Sequence, residues 1–258
     1  MMSAIKKYLL LPVFRRFRKT APTPIKKLFY RAGLFFSTSL YLERLKERGV
    51  SPTTVIDIGA YEGEWTTLFK SVFPESKVLM LEAQNNKAPV LQEICDGFER
   101  DVDFSISLLG EKDHEKVTFV EMETGSSVLE ESSPYHRDYL EKETITLDSL
   151  LLRYPNFKKL DFLKLDVQGY ELNVLRGASQ LLEQTEFVLM ETSLVSINKG
   201  CPLIADVIEF MAHKDFRVLD FCSQIRRKDG VLWQTDLLFV KNTSDFVPSA
   251  LLTSDNWS

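Results

Sequence analysis

Acidic and glycine residues meet in the segment Val-Ile-Asp-Ile-Gly-Ala-Tyr-Glu-Gly, which ends at Gly63. Within it, Asp57, Gly59 and Gly63 form an Asp-x-Gly-x-x-x-Gly pattern between an apolar strand and a predicted helix over residues 62–73. A strand, a tight glycine turn and a helix N-terminus together let a nucleotide-like ligand approach the backbone. A turn that cradles a pyrophosphate would carry Gly-x-Gly-x-x-Gly. The carboxylate before the first glycine favours a ligand with a positive amino group instead, and we expect a side chain at Gly59 to block that ligand while leaving the fold largely intact.

A second acid, Glu82, follows Asp57 by 25 positions and ends the mostly apolar run Lys-Val-Leu-Met-Leu-Glu. This run predicts a second buried parallel strand. In nucleotide-binding α/β folds, an acid at this spacing accepts hydrogen bonds from the two ribose hydroxyls. The alternative is that Glu82 simply leaves the strand and meets water. Taken with the glycine turn, the pattern favours S-adenosylmethionine, which has both a ribose and an amino group.

A third acid, Asp166, ends a predicted strand over residues 162–166 and is followed by Gly169 and a predicted helix. The run Leu-Lys-Leu-Asp-Val-Gln-Gly-Tyr-Glu-Leu-Asn-Val-Leu-Arg-Gly-Ala, which ends at Ala178, resembles the signature of the FkbM family of S-adenosylmethionine-dependent methyltransferases. Further similar segments are the glycine turn, Gly-Ser-Ser at 125–127, Thr-Ile-Thr-Leu-Asp-Ser-Leu at 144–150 and Phe-Val-Leu-Met-Glu at 187–191. The resemblance covers residues 53–241 and implies a class I methyltransferase with S-adenosylmethionine as cofactor. It also implies a sugar-containing, glycolipid or natural-product acceptor.

The predicted cofactor site lies at one edge of the predicted sheet. Ligands of open α/β sheets bind outside the carboxyl ends of the strands, so the acids that end the predicted strands are expected to gather there. Tyr61, inside the glycine turn, is predicted to cover the methionine portion. The predicted cofactor-binding residues are Asp57, Gly59, Ala60, Tyr61, Gly63, Glu82, Ala83, Ser107 and Asp166.

Three side chains are candidates for catalysis. Methyl transfer to a hydroxyl requires in-line positioning and a group that takes the hydroxyl proton. Asp166 is the first candidate for this base; alternatively it binds the cofactor's amino group or caps the helix that follows. Glu191, after the next strand, is the second candidate, and His136, in a polar loop, is the third unless it is a surface residue. Asp166 and Glu191 could also hold a divalent cation through oxygen ligands, but we expect no metal.

Two other classes of function are compatible with part of this pattern. A non-catalytic regulatory module could keep the cofactor fold, although a decayed site would be free to lose Asp57, Glu82 and Asp166. An NAD-dependent oxidoreductase is disfavoured because the glycine triplet for a pyrophosphate is missing. The sequence therefore predicts an O-methyltransferase that acts on a small-molecule, glycan or glycolipid acceptor.

Basic residues are concentrated at the N-terminus. The chain has a formal net charge of −5, yet residues 1–33 contain nine Lys or Arg and no acid, so the remainder carries −14. Apolar residues at near-helical spacing between them predict a basic amphipathic arm that could lie on an anionic membrane. The alternative is an arm that packs on the catalytic domain or on a second subunit. The apolar run Tyr8–Phe14 is too short to cross a bilayer, which takes about 20 residues, and the acidic remainder argues against nucleic-acid binding.

Length and composition predict one main globular domain. The chain has 258 residues, of which 44% are hydrophobic and 27% charged. It has three cysteines, an odd number without CxxC spacing, which argues against a zinc site or a disulfide framework. We therefore expect a cytoplasmic protein, with peripheral association at the inner membrane surface as an option for the basic arm.

Alternation of strands and helices predicts an α/β fold with a mostly parallel sheet covered by helices on both faces. The FkbM resemblance implies a Rossmann-like, seven-stranded class I methyltransferase sheet whose last strand is antiparallel. We predict a basic helical arm over residues 1–50 and the methyltransferase domain over residues 51–258. Strands are predicted near residues 54–58, 77–82, 103–108, 117–121, 162–166, 187–191, 217–221 and 236–241, and helices include one that begins at Pro24 and others near 39–48, 62–73 and 202–214.

Overall fold

Strands and helices alternate along the computed structural model, which describes residues 38–131, 136–157 and 159–247. The strands are β1 (Thr54–Ile58), β2 (Lys77–Glu82), β3 (Val102–Ile106), β4 (Leu108–Leu109), β5 (Lys116–Glu121), β6 (Asp138–Ile145), β7 (Leu160–Leu165), β8 (Thr185–Ser193), β9 (Phe216–Phe221), β10 (Ile225–Arg226) and β11 (Leu232–Lys241). The α-helices are α1 (Thr38–Glu47), α2 (Glu64–Val72), α3 (Ala88–Asp96), α4 (Leu147–Leu150), α5 (Glu171–Arg176), α6 (Ser179–Glu183) and α7 (Ile204–His213). Short 3₁₀ turns lie at Asn85–Lys87, Glu123–Gly125, Leu151–Arg153 and Pro155–Phe157.

Eight strands form the main sheet, in the order β10-β11-β8-β7-β1-β2-β3, with β9 also paired to β11. The neighbouring strands from β8 to β3 are parallel, whereas β11 runs antiparallel to β8, β9 and β10. Because β9 and β10 pair with successive parts of β11, the sheet is seven strands wide and β10 is a short eighth strand. This order confirms the predicted class I methyltransferase topology with an antiparallel last strand.

Both faces of the parallel strands are buried, which explains their nearly continuous apolar sequences. Successive residues of β1 point to opposite faces: Val55 packs with one hydrophobic cluster, and Ile56 and Ile58 pack with the other. The first cluster includes Phe69 of α2, and the second includes Leu175 of α5. The strand ends are therefore held between two packed layers of helices.

Helix α1 packs into the same core as the sheet. Leu40, Tyr41, Leu42 and Leu45 are buried and cluster with strand residues such as Val55. The predicted helix near 39–48 is thus confirmed, and its apolar face explains why it docks. The division of the chain at residue 50 stays a prediction, and the basic segment 1–33 and the helix predicted from Pro24 lie outside the described residues.

A second, three-stranded sheet in the order β4-β6-β5 stands beside the main sheet. The predicted strand near 103–108 divides between the two sheets, because β3 pairs with β2 while Leu108 and Leu109 pair with β6. Strand β6 was not predicted. Most of its residues are exposed, and its sequence Asp-Tyr-Leu-Glu-Lys-Glu-Thr-Ile has no clear two-residue alternation of apolar and polar side chains.

Within residues 38–131, 136–157 and 159–247, every helix is too short or too polar to traverse a bilayer.

Candidate functional site

A cavity of about 860 Å³ opens at the carboxyl ends of the parallel strands. One wall comes from the main sheet and its turns, and the other comes from the small sheet and the segment that follows β5. The predicted site residues that line it are Gly59, Ala60, Tyr61, Glu82, Ala83, Ser107, His136, Asp166 and Glu191. Asp57 and Gly63 do not line it.

A buried lysine, Lys164 of β7, occupies the centre of the sheet edge. Its Nζ lies 3.1 Å from Asp57 Oδ1 and 3.6 Å from Asp166 Oδ2, and it donates to the carbonyl oxygen of Gly59 at 3.2 Å. Burial alone would lower the pKa of Lys164, but the carboxylates of Asp57 and Asp166 outweigh it and raise the pKa. Lys164 therefore stays charged and joins the ends of β1 and β7.

The ion pair with Lys164 involves Asp57, which was predicted to bind the cofactor. The Asp57 carboxylate is fully buried, and its Oδ2 accepts a hydrogen bond of 2.8 Å from the Thr66 hydroxyl. Lys164 is an ion-pair partner of Oδ1, which has no hydrogen-bond partner among the described residues, and Thr66 donates to Oδ2. Asp57 thus lies beneath the glycine turn, and its predicted contact with the cofactor's amino group stays a prediction.

Both glycines of the pattern have a left-handed backbone conformation, and at Gly59 the surrounding protein also leaves no room for a side chain. Gly59 has φ +73°, and a Cβ built on it would lie 1.9 Å from the carbonyl oxygen of Asp166. Gly63 also has φ +73°, and its Cβ would lie 3.1 Å from Ile94 Cγ1. Closeness of β1 to the end of β7 therefore excludes a side chain at Gly59. The expectation that a valine at Gly59 would leave the fold largely intact is wrong for this reason.

Glu82 organises the neighbouring loops through its carboxylate. Its Oε2 accepts a hydrogen bond of 2.8 Å from the backbone N–H of Tyr61. Its Oε1 accepts from the backbone N–H groups of Ala83 and Gln84, at 2.8 and 2.9 Å. A carboxylate has about four acceptor sites, two on each oxygen. Oε1 already accepts two hydrogen bonds and Oε2 accepts one, so Glu82 can hold both loops and still accept a hydrogen bond from a ligand at Oε2.

Asp166, directly after β7, and Glu191, near the end of β8, are joined by a glutamine. Gln168 Nε2 donates to Asp166 Oδ1 at 2.8 Å and to Glu191 Oε1 at 3.0 Å. Gln234 Nε2 of β11 donates to the same Glu191 oxygen at 2.6 Å. Burial, reinforced by the carboxylate of Asp166, raises the pKa of Glu191 well above its usual range. Glu191 therefore retains a proton where an ordinary glutamate would have lost it.

His136 and the Gly-Ser-Ser segment occupy the opposite wall. His136 lines the cavity and has an exposed side chain. Ser127 is buried, and its hydroxyl donates to the carbonyl oxygen of Gln168 at 3.0 Å. Ser126 Oγ donates to the carbonyl oxygen of Glu123 at 2.8 Å. Both serines therefore tie this segment to its surroundings.

The sequence comparison decides the family. The family model described as "Methyltransferase FkbM domain" matches residues 57–218. The chain belongs to the FkbM family of methyltransferases. S-adenosylmethionine is accordingly the cofactor of this FkbM domain, which confirms the resemblance read from the sequence. No curated protein matches the chain.

Among the solved structures that resemble the FkbM chain are methyltransferases of low sequence identity. One is magnesium protoporphyrin IX methyltransferase from Synechocystis PCC 6803 with bound S-adenosylmethionine, at 10% identity and a TM-score of 0.48, covering 89% of this chain and 96% of that chain. Another is 1,6-didemethyltoxoflavin-N1-methyltransferase from Burkholderia thailandensis with bound S-adenosylhomocysteine, at 10% identity and a TM-score of 0.45, covering 83% of this chain and 84% of that chain.

The cavity of the FkbM domain fits S-adenosylmethionine chemically. Glu82 offers acceptor capacity to ribose hydroxyls. Gln84, which is buried and lines the cavity, has an Oε1 without a hydrogen-bond partner among the described residues. A buried acceptor of this kind calls for a donor, and the cofactor has donors in its adenine and its ribose. Across the described ranges, no group of three His, Cys, Asp or Glu could hold a metal ion.

Sequence reasoning missed several polar residues of the FkbM site. Lys164 had a usable signal, since a lysine inside an otherwise apolar buried strand needs a charged partner. Gln84, Lys87, Glu123 and Gln168 had none, because their roles come from partners that are distant in the sequence.

A buried glutamate beside the FkbM site predicts a specific pH dependence of stability. Glu171 Oε1 accepts hydrogen bonds from the backbone N–H groups of Val167 and Gly169, at 3.0 and 3.1 Å. Burial raises the pKa of Glu171 from 4.5 to about 7 despite these bonds. A carboxyl with a raised pKa binds its proton more tightly in the folded state, so stability is full below pH 4.5 and falls as pH rises to 7. The loss amounts to about 3 kcal/mol at most.

Glu171→Gln is expected to remove this part of the decline, because the amide oxygen can accept both N–H groups and does not ionise. Urea unfolding at pH 5 and pH 8 measures the effect as a smaller difference between the two pH values. Glu183→Gln, on the exposed surface of α6, is the matched control. An unchanged difference in Glu171→Gln would contradict the assignment of the raised pKa to Glu171.

Proposed function

We propose that this FkbM methyltransferase transfers the methyl group of S-adenosylmethionine to a hydroxyl of a sugar-containing, glycolipid or natural-product acceptor. When bound, the cofactor supplies an activated methyl group on a sulfonium. The observation that carries the proposal is the position of Asp166. Its carboxylate lies at the carboxyl end of β7, lines the cavity, and has 35% of its side-chain surface exposed.

Two side chains hold Asp166 for this role in the proposal. Lys164 Nζ at 3.6 Å balances its charge, and Gln168 Nε2 at 2.8 Å orients one of its oxygens. The other oxygen can then accept a hydroxyl proton from the acceptor. Glu191 is a poorer base because its raised pKa keeps it protonated, and a protonated carboxyl can donate a hydrogen bond to the acceptor instead.

The cofactor end lies on the other side of β1 in this proposal. Strand order places Glu82 of β2, Gly59 after β1 and Asp166 after β7 in sequence along the edge. Neighbouring strands are about 4.8 Å apart, so Glu82 and Asp166 are separated by roughly two strand spacings. In this arrangement Glu82 would bind the ribose, with Ala83 and Ser107 near the base and Ala60 and Tyr61 near the methionine portion.

The choice of a hydroxyl in a sugar-like acceptor is supported by the FkbM resemblance and by the polar wall around Asp166. That wall contains Gln168, Glu191 and Gln234, which offer hydrogen bonds to a polar acceptor. His136 is kept as a second candidate for proton transfer, because it lines the cavity on the opposite wall.

Cofactor binding is the first test of this proposal. Isothermal calorimetry with S-adenosylmethionine, S-adenosylhomocysteine and NAD is expected to give binding for the first two alone. Glu82→Gln should weaken binding of S-adenosylhomocysteine by about 1–3 kcal/mol, the usual penalty for a lost hydrogen bond to a charged group. Glu121→Gln, which makes the same change of charge outside the cavity, should bind normally. Equal affinities of the two variants would refute the role of Glu82.

We also propose a cytoplasmic enzyme whose residues 1–33 associate reversibly with an anionic membrane. Nine basic residues without an acid support it, since each basic residue near such a surface contributes about 1 kcal/mol, screened by salt. Co-sedimentation with phosphatidylglycerol vesicles is expected at low salt and is expected to be lost at high salt. A chain without residues 1–33 should stay in the supernatant. If both chains partition equally, the segment has a packing role instead.

A further inference from the structure

A second buried lysine, Lys87, lies beside residues that line the cavity. Its Nζ is 3.0 Å from Glu62 Oε1 and 2.9 Å from Glu123 Oε2. The same Nζ lies 4.0 Å from the centre of the Tyr61 ring, within range of a cation–π interaction. Tyr61 in turn donates its hydroxyl proton to Glu123 Oε2 at 2.7 Å. The four side chains form one connected cluster, here called the rim cluster.

The rim cluster joins three segments that are distant in the sequence. Tyr61 and Glu62 belong to the glycine turn after β1, and Lys87 belongs to the 3₁₀ turn after β2. Glu123 begins the 3₁₀ turn that follows β5 of the small sheet. Gln84 Nε2 adds a fourth link by donating to the carbonyl oxygen of Glu123 at 3.1 Å. The small sheet is thereby fastened to the cofactor loops at Glu123.

The segment from Met122 to Ser127 forms part of the cavity wall between two attachments. At its far end, the Ser127 hydroxyl donates to the carbonyl oxygens of Val167 and Gln168, at 3.3 and 3.0 Å. Ser127 is buried, whereas the Glu123 side chain is 70% exposed. The attachment at Ser127 is therefore enclosed in protein, whereas water can replace the partners of the Glu123 side chain.

Two residues of the rim cluster have a strained backbone conformation. Tyr61 has φ +50° and Glu123 has φ +54°. Residues other than glycine rarely adopt these values, and they persist when surrounding contacts hold them. Both strained residues meet in a single hydrogen bond, and Lys87 contacts both.

Lys87 and Glu123 both stay charged at neutral pH. Burial alone would lower the pKa of Lys87, but hydrogen bonds to Glu123 and Glu62 raise it. The hydrogen bond from Lys87 lowers the pKa of Glu123. Lys87 has only 10% of its side chain exposed, whereas Glu123 has 70% exposed. Lys87 is therefore held in place by its surroundings, and Glu123 is the partner that can move away into solvent.

We propose that Lys87 is a positioning residue for cofactor exchange: through Tyr61 and Glu123 it fastens the segment from Met122 to Ser127 over the cofactor end of the cavity. The cofactor and its demethylated product then leave when Glu123 releases Lys87 and Tyr61. This inference rests on the proposed binding of S-adenosylmethionine beside Glu82.

Rates of ligand exchange test the proposal without an acceptor. Trp65 lines the cavity, so stopped-flow tryptophan fluorescence can follow S-adenosylhomocysteine binding to the full chain. Lys87→Met is expected to raise the dissociation rate about 10-fold or more, the effect of losing a charged hydrogen bond. Lys87→Arg, which keeps the charge, should restore most of the slow dissociation. Lys116→Met is the control, because Lys116 pairs with Glu141 on the exposed face of the small sheet.

A double-mutant cycle tests whether Lys87 and Glu123 act through their contact with each other. Glu123→Gln should raise the dissociation rate as Lys87→Met does, and the two changes together should add little to either alone. Glu123 is exposed, so its variant guards against a simple loss of folding in Lys87→Met. Dissociation rates equal to wild type in both variants, or fully additive effects, would overturn the inference while leaving the proposed function standing. Failure of the wild-type chain to bind S-adenosylhomocysteine would overturn the proposed function as well.

Discussion

Asp166→Asn is expected to bind S-adenosylmethionine nearly normally and to lose methyl transfer by about 10²- to 10⁴-fold, the usual contribution of a general base. The amide keeps the shape of the carboxylate and can still meet Gln168, but it cannot take a proton from a hydroxyl. Lys164 would keep Asp57 as a partner at 3.1 Å, so the sheet edge should remain paired. The variant therefore separates proton transfer from cofactor binding.

The measurement is transfer of labelled methyl from S-adenosylmethionine to an acceptor fraction, with calorimetry on the same samples. Asp103→Asn is the matched control, since Asp103 is exposed near the start of β3, at the opposite end of the sheet. Glu191→Gln should lose less activity, because the proposal makes Glu191 a hydrogen-bond donor. If Asp166→Asn loses affinity for the cofactor instead, Asp166 contacts the cofactor and another group takes the proton.

Gly59→Ala is expected to destabilise the fold itself. An alanine there would hold a left-handed conformation, which costs about 1–2 kcal/mol. Its Cβ would also lie 1.9 Å from the Asp166 carbonyl oxygen, and relief of such overpacking costs about 1–3 kcal/mol more. The free energy of unfolding should therefore fall by about 2–5 kcal/mol, because the ends of β1 and β7 must move apart.

Gly49→Ala supplies the control for this prediction. Gly49 has φ +89°, yet a Cβ built there meets nothing within 4 Å, so the variant shows the conformational cost alone. Urea unfolding of both variants gives the steric part as the difference between them. Equal destabilisation of the two variants would mean that the turn accommodates a side chain at Gly59. The original expectation, that a side chain there blocks the ligand and leaves the fold intact, would then stand.

Residues at strand ends were the most predictable part of the site. Glu82, Asp166 and Glu191 each follow an apolar run, and the parallel sheet brings all three to one cavity. Such runs do not reveal which residue contacts each of these side chains in the folded protein. The buried partner of Asp57, Lys164, comes from a strand 107 residues later in the chain. Pairing of β1 with β7 brings these two residues together, and that pairing is a property of the fold.

The small sheet was the least predictable part of the fold. β5 has enough apolar residues to be found, but β6 is charged and mostly exposed, so nothing in its sequence reports that it pairs with β5 along its length. The rim cluster depends on this pairing, since it sets where Glu123 meets Lys87 and Tyr61. Predicting those contacts would have required the position of the small sheet first.

The main sheet and the small sheet supply different parts of the cavity wall. The described residues between 108 and 145 supply one wall of the cavity, and none of them forms a strand of the main sheet. Substitutions on that wall away from the rim cluster can change the shape of the cavity while the strands that lead to Glu82, Gly59 and Asp166 keep their sequence. Under the proposed function, acceptor preference can therefore be altered from the small sheet while the residues proposed to bind the cofactor stay the same.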